Sequence, residues 1–212
     1  GGALCLVGVH PATVDRLARS TRDVESLYRR LVGELMRRVE AVVREGLADG
    51  LGEFGRPHYP SPPESWALSE LLLAEGLRVA RDYDVPIHIH SESTGLVTAK
   101  SLGLLVDRSG VKRERILMHH VPPGQATAFT DEGYYVSVVG RFEAVRELRG
   151  SCSGVLVESD YLDDPRRPGA VAYPWDIVGE VLRAAESGSI TADCARELLQ
   201  VNPLSYYGVS ID

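Results

Sequence analysis

The residues able to do chemistry collect at the ends of short apolar runs. Glu53 closes Leu51-Gly52-Glu53, and His88 and His90 close Pro86-Ile87-His88-Ile89-His90. His119 and His120 follow Ile116-Leu117-Met118, and Glu158 and Asp160 close the run that begins at Val155. Side chains two apart on a strand face the same way, so His88 goes with His90 and Glu158 with Asp160. Imidazole together with carboxylate suits Zn, Mn, Fe or Ni. Each residue has a plainer reading. A lone His in an apolar strand is a hydrogen-bonded core residue, and Glu158 is a buried ion-pair partner or a support for a ligand. Four separate strands that all end in ligand-type residues favour a joint metal site.

Gly50-Leu51-Gly52-Glu53-Phe54-Gly55 offers a competing motif, because it satisfies the dinucleotide pattern G-x-G-x-x-G. That pattern binds pyrophosphate only when a strand precedes it and a helix opens within it. Here a helical pattern precedes, and Arg56-Pro57-His58-Tyr59-Pro60 follows. Proline at that density blocks the required helix. Nucleotide binding at this loop is set aside.

The elements that must hold these residues alternate along the chain. Strand-like runs are expected at Leu4-Val9, Leu51-Phe54, Pro86-His90, Ile116-His119, Tyr134-Val139 and Val155-Glu158. Helix-like stretches lie near Ser65-Tyr83, Gly95-Arg108, Gly124-Asp131, Arg141-Leu148, Trp175-Glu186 and Thr191-Gln200. The strongest helical rhythm spans Val24 to Glu45, with Leu27, Leu31, Leu35, Val39 and Val42 on one face. Its arginines, interleaved with Glu34, Glu40 and Glu45, read as a solvated face and not as a nucleic-acid stripe. Alternating strand and helix argues for parallel βα units. Ligand sites in such folds form beyond the C-terminal ends of the strands. No linker divides the 212 residues, so one domain over 1–212 is expected.

Composition narrows the class. The formal net charge of -7 disfavours a protein that coats nucleic acid or an anionic membrane. The apolar runs are too short to span a bilayer, and no signal peptide is visible at the start. A cytoplasmic location is expected. Cys5, Cys152 and Cys194 read as reduced, mostly buried thiols and not a disulfide frame. Lysine occurs only at Lys100 and Lys112, and asparagine only at Asn202. Scarce amides fit a thermophilic source.

The motifs taken in order resemble TatD-type metal-dependent hydrolases of the amidohydrolase superfamily. These motifs are Gly8-Val9-His10-Pro11, Gly52-Glu53-Phe54-Gly55, Pro86-Ile87-His88-Ile89-His90, the His119 strand end, Glu158-Ser159-Asp160 and Asn202-Pro203. Gly55-Arg56-Pro57-His58-Tyr59-Pro60 and Asp160-Tyr161-Leu162-Asp163-Asp164-Pro165, followed by Arg167-Pro168-Gly169-Ala170-Val171, look like an archaeal TatD-related branch. The resemblance implies a (β/α)8 TIM barrel. Six strands fall short of eight, so N-terminal strands are expected to be lacking in this chain. A strand–helix unit is also expected to be missing between Val7 and Gly8.

The resemblance further implies Glu53, His90, His119 and Asp160 as metal ligands, with His120 as fallback for His119 and His88 in a deeper layer. Asp160 would also be the catalytic base. His10, Arg56 and His58 are the expected substrate-binding residues. Where many relatives carry Arg two residues after the strand His, this chain has Glu92. The expected cofactor is one or two divalent ions, Zn, Mn or Mg. The expected reaction is hydrolysis of a phosphodiester or phosphoester in a nucleic acid or small molecule. Hydrolysis of a C–N or ester bond, as in an amidohydrolase or lactonase, is the alternative. A non-catalytic barrel serving as a binding module is a third. No membrane partner is expected, and an oligomer is possible.

Overall fold

The computed structural model describes residues 3–162, 165–166 and 171–210. The motif residues Asp163, Asp164 and Arg167 to Ala170 lie outside the described residues, as do Gly1 and Gly2. Two compact units divide the chain, Gly1–Leu117 and Met118–Asp212.

In the first unit β1 (Leu6–Val7) leads into α1 (Pro11–Ser20). A continuous helical run follows, made of α2 (Val24–Tyr28), a π-helical stretch (Arg29–Leu35) and α3 (Met36–Arg44). Next come β2 (Gly50–Gly55), α4 (Pro63–Tyr83), β3 (Ile87–His90), α5 (Leu96–Ser109) and β4 (Ile116–Met118), whose last residue opens the second unit. β1 pairs with β2, and β2 with β3, both in parallel. The second unit continues with α6 (Ala126–Thr130), β5 (Tyr135–Val139), α7 (Phe142–Glu147) and β6 (Val155–Glu158). It ends with α8 (Ile177–Glu186), α9 (Ala192–Arg196), a second π-helical stretch (Glu197–Val201) and α10 (Asn202–Tyr207). β5 and β6 pair in parallel. All six expected strands are found among the described residues, in chain order.

Parallel pairing requires a crossover of about a dozen residues or more, and every strand here is followed by a connection that contains a helix. β4 is apolar on both faces, with Ile116, Leu117 and Met118 all buried, whereas Ile87 and Ile89 of β3 and Val136 and Val138 of β5 bury one face and leave the other to His88, His90 and Ser137. α4 begins at Pro63, whose fixed φ suits a first helical turn. It buries Leu68, Leu72, Leu73 and Leu77. Each fully buried leucine contributes about 1.5–3 kcal/mol.

Three expectations are corrected here. The strand expected over Leu4-Val9 is β1 of Leu6–Val7 alone, and Pro11–Ser20 beyond it is helical. Val7 pairs with Leu51, and a Cβ placed on Gly8 would lie 2.6 Å from the Gly52 carbonyl oxygen. The chain therefore stays alongside β2 through Gly8 before entering α1, a helix that apolar periodicity alone does not reveal.

The inward face between Val24 and Glu45 is also shifted. The buried residues are Leu27, Leu31, Met36, Val39 and Val43, not Leu35 and Val42. The π-helical stretch adds one residue to a turn, so Leu31 is followed inward by Met36 at i+5. The arginines of this run are exposed, as a solvated face requires.

Finally, Cys152 and Cys194 form a disulfide, with Cα atoms 5.5 Å apart, a normal spacing for such a bond. The expectation of three thiols was based on their wide separation in sequence, which the packing of α9 near β6 removes. Only Cys5 is free, and it is exposed.

Candidate metal centre and flanking polar networks

β2 and β3 present the first group of functional side chains. Gly55 has φ +139, and a Cβ there would fall 1.8 Å from the His90 carbonyl oxygen. Only glycine lets the two strand ends approach, and the Arg56 N–H then donates to the His90 carbonyl at 2.8 Å. This brings His90 Nδ1 to 3.2 Å from Glu53 Oε2. His90 Nε2 lies 2.7 Å from His58 Nδ1. His10, at the end of the β1 run, places Nε2 3.7 Å from the same Glu53 oxygen. His10, Glu53 and His90 thus offer ligand atoms within 4.8 Å of one another.

Two imidazoles and a carboxylate at this spacing fit a divalent ion. One hydrogen bond qualifies the role of His10. Its Nδ1 accepts from the Ala12 N–H at 3.0 Å and caps α1. A neutral imidazole must then carry its proton on Nε2, toward Glu53. Ligation through His10 Nε2 would require that cap to be given up.

Arg56 is buried, and its guanidinium is already engaged. Nε donates to Glu70, and Nη1 donates to Glu92 at 3.3 Å and to Ser101 at 3.0 Å. Glu92 also approaches the Thr98 hydroxyl. Glu92 is therefore matched to a buried cation. His88, half-buried on β3, has its Cβ 2.9 Å from where a Gly52 side chain would begin.

In the second unit His119 and His120 follow β4, and Asp160 lies two residues beyond β6. His119 is held at Nδ1 by Glu158 Oε2, 2.7 Å away, and its Nε2 lies 3.5 Å from Asp160 Oδ1. His120 Nδ1 lies 3.2 Å from Glu158 Oε1 and 3.3 Å from Asp160 Oδ2. The His120–Glu158 approach is close but not aligned as a hydrogen bond, and Oε1 is left as a buried acceptor without one. Ser137 donates to Glu158 Oε2. Both His120, at φ +58, and Asp160, at φ +45, sit in the left-handed region. Non-glycine residues are rare there, and strain of this kind gathers at functional sites.

The charges follow from these contacts. Burial would raise the Glu158 carboxyl, but His119, His120 and Ser137 outweigh it and hold Glu158 at about 2. The Asp160 and Glu158 carboxylates push His120 up to about 10 against its own desolvation.

Each unit thus gathers part of the expected set. The first brings Glu53 and His90 together with His10 and His58, and the second brings His119, His120 and Asp160 together. Glu158, weighed as a support or core ion pair, contacts both histidines. His10, expected only to bind substrate, joins Glu53 and His90 in one group of ligand atoms.

Parallel α/β strands with imidazole–carboxylate clusters at their C-terminal ends define the metal-dependent hydrolases of the TIM-barrel type. The fold matches a TatD homologue from Escherichia coli K12 at a TM-score of 0.61 and 20% identity, over 98% of this chain and 77% of the other. It matches a phosphotriesterase homology protein of Escherichia coli, complexed with phosphate in its active site, at 0.66 and 17%, over 88% and 70%. A PTE-like lactonase variant of Deinococcus radiodurans matches at 0.64 and 18%, over 94% and 69%. An uncharacterized protein of Methanocaldococcus jannaschii is 26% identical over 99% of this chain and 74% of its own length. The model of the family described as "TatD related DNase" matches residues 1–208, and the chain belongs to that family. Among the described residues, no helix is long and apolar enough to cross a membrane.

Proposed function

We propose that this chain hydrolyses phosphodiester or phosphoester bonds, using a divalent ion, Zn, Mn or Mg. The observation that carries this is the grouping of His10, Glu53 and His90 ligand atoms within 4.8 Å in a TatD-family chain. Glu53 and His90 are the proposed ligands of the first unit, and His119 and Asp160 those of the second. When bound, the ion supplies Lewis acidity toward the scissile group and its developing charge. Asp160 Oδ accepts the proton of the attacking water. Glu158 holds His119 at Nδ1, so that Nε2 is presented toward Asp160. His58, exposed beside His90, faces the substrate, and half-buried His10 lies beside Glu53.

The test is turnover of a generic phosphodiester and of single-stranded DNA with Mn or Zn. Asp160→Asn keeps the shape and removes the proton acceptor, so the rate falls on the order of 10²–10⁴-fold. Wild-type turnover in that variant would remove Asp160 from the mechanism.

A second reading, ester or C–N hydrolysis, gains from the engagement of Arg56 by Glu70 and Glu92, which takes that cation away from an anionic substrate. Hydrolysis of lactones or amides with no action on phosphoesters would select it. The binding-module reading requires that no metal binds after supplementation with Zn or Mn.

A further inference from the structure

We propose that Tyr161, Tyr173 and Trp175 form a stacking subsite for the unpaired base of a nucleotidyl phosphoester, beside Asp160. The inference rests on the phosphoester reading and names the group carried next to the scissile bond.

Tyr173 and Trp175 are stacked, with ring centroids 4.8 Å apart and planes at 14°. Tyr161 closes a third side, 5.8 Å from Tyr173 and 6.3 Å from Trp175. The cluster is nevertheless open to water, since Trp175 is 71% and Tyr161 39% exposed. A Tyr–Trp stack with an open face can be extended by one more flat ring, and any base supplies one.

Position ties the cluster to the chemistry. Tyr161 directly follows Asp160. The Ala172 N–H donates to the Ser159 carbonyl at 3.0 Å, so the segment carrying Tyr173 and Trp175 is pinned to the turn that holds Asp160. Charge decides which contact must hold the ligand. A chain of net charge -7 gains little from a phosphate backbone, so the ring faces have to supply the affinity. A base inside a duplex has both faces covered by its stacked neighbours, which restricts the ligand to a single strand or a terminal nucleotide. The rival occupant is a second copy of this chain, because Val178 and Leu182 beyond Trp175 are 52% and 46% exposed.

The experiment uses the full chain carrying Asp160→Asn, to stop turnover. Trp66→Phe is added, so that Trp175 is the only indole of the two tryptophans. A short oligothymidylate and an abasic strand of equal length are titrated, reading Trp175 emission and the anisotropy of a labelled strand. Thymidylate quenches Trp175 saturably, and the abasic strand binds on the order of 10- to 100-fold more weakly. Trp175→Leu and Tyr173→Leu weaken thymidylate binding by a similar factor, while Tyr173→Phe, which keeps the ring, restores it. Affinity depends only shallowly on salt. Equal affinity for base-bearing and abasic strands overturns the proposal. So does a Trp175 emission that shifts with protein concentration alone, which assigns the cluster to self-association. Wild-type hydrolysis of a base-free dialkyl phosphodiester reads the parent proposal separately. Base-dependent binding without any phosphoester turnover would sink the parent reading and uphold the subsite.

Discussion

His119 Nδ1 lies 2.7 Å from Glu158 Oε2, and this contact determines which imidazole nitrogen faces Asp160. A carboxylate at one ring nitrogen fixes the tautomer and raises the basicity of the other. Replacing Glu158 by Gln keeps the size and removes the charge. Metal affinity or turnover should fall roughly 10–100-fold. Equilibrium metal titration alongside steady-state rates checks this, and an unchanged pair of values would make Glu158 a packing residue only.

A buried cation shared by two acids makes Arg56 the next test. Arg56 reaches Glu70, Glu92 and Ser101 with its planar fork, and its own N–H fixes the His90 carbonyl. Lys offers one compact ammonium and cannot span the three partners. Arg56→Lys should lower both stability and turnover, and Arg56→Gln should cost about 1.5–3 kcal/mol by removing charged hydrogen bonds to two half-exposed acids. Urea unfolding measures the stability, and the double variant Arg56→Gln/Glu92→Gln should recover part of the loss.

The placement of these groups was legible in the sequence, and their partners were not. His90 closes β3, His119 follows β4 and Asp160 lies two residues past β6, where the apolar runs stop, whereas Glu53 lies inside β2, two residues before its end. The neutralisation of Arg56 depends on Glu70 and Ser101, on α4 and α5, which no spacing rule links to residue 56. The π-helical stretch at Arg29–Leu35 displaced the inward face by one residue, because a 3.6-residue rhythm carries no sign of a wider turn. α1 escaped because its start signals, His10 as cap and Pro11 at its first turn, are weaker than an apolar stripe. The Cys152–Cys194 bridge escaped because pairing is set by Cα approach, not by sequence distance.

Asp84 supplies a pH test remote from the candidate ligands. Arg115 first and then Lys112 hold its carboxyl at about 2, below the ordinary 3.8. A carboxylate depressed in the folded state stabilises above its unfolded pKa and loses that contribution as pH falls through the folded value. The window is therefore about pH 4 down to 2. Asp84 also ends α4 at φ 51, a conformation that Asn tolerates. Asp84→Asn should flatten the fall in thermal midpoint across that window and leave the left-handed turn intact. Because the group is exposed, the difference should shrink in high salt. A midpoint profile parallel to the wild type would exclude the contribution.

Asn202, the only asparagine, is buried and gives both side-chain N–H bonds to main-chain carbonyls of Cys152 and Val155, each at 2.7 Å. It ties the start of α10 to the segment entering β6. Removing the amide strands two buried acceptors at about 1–3 kcal/mol apiece. Asn202→Ala should thus destabilise by about 2–6 kcal/mol. Asn202→Asp should be no better, since a carboxylate cannot donate to a carbonyl. Urea denaturation of the second-unit signal, followed by Tyr and Trp fluorescence, gives the size. Equal midpoints for wild type and Asn202→Ala would show that other groups, or water, satisfy both carbonyls.

The disulfide gives the last test. Cys152 and Cys194 are paired across 42 residues, and Cys5 is free and exposed. Thiol titration of the denatured, unreduced chain should find one reactive thiol, and three after reduction. The native unreduced chain should also show one, because Cys5 is already accessible. A bridge closing a loop of this size restricts the unfolded chain and typically stabilises by about 2–4 kcal/mol. Reduction, or the Cys152→Ala/Cys194→Ala pair, should lower the urea midpoint accordingly. Both cysteines are buried, so reductant acts slowly on the native chain and quickly once it opens. Three reactive thiols in the denatured, unreduced protein would show that the pair stays reduced where the protein is made, and the loss on reduction should then vanish as well.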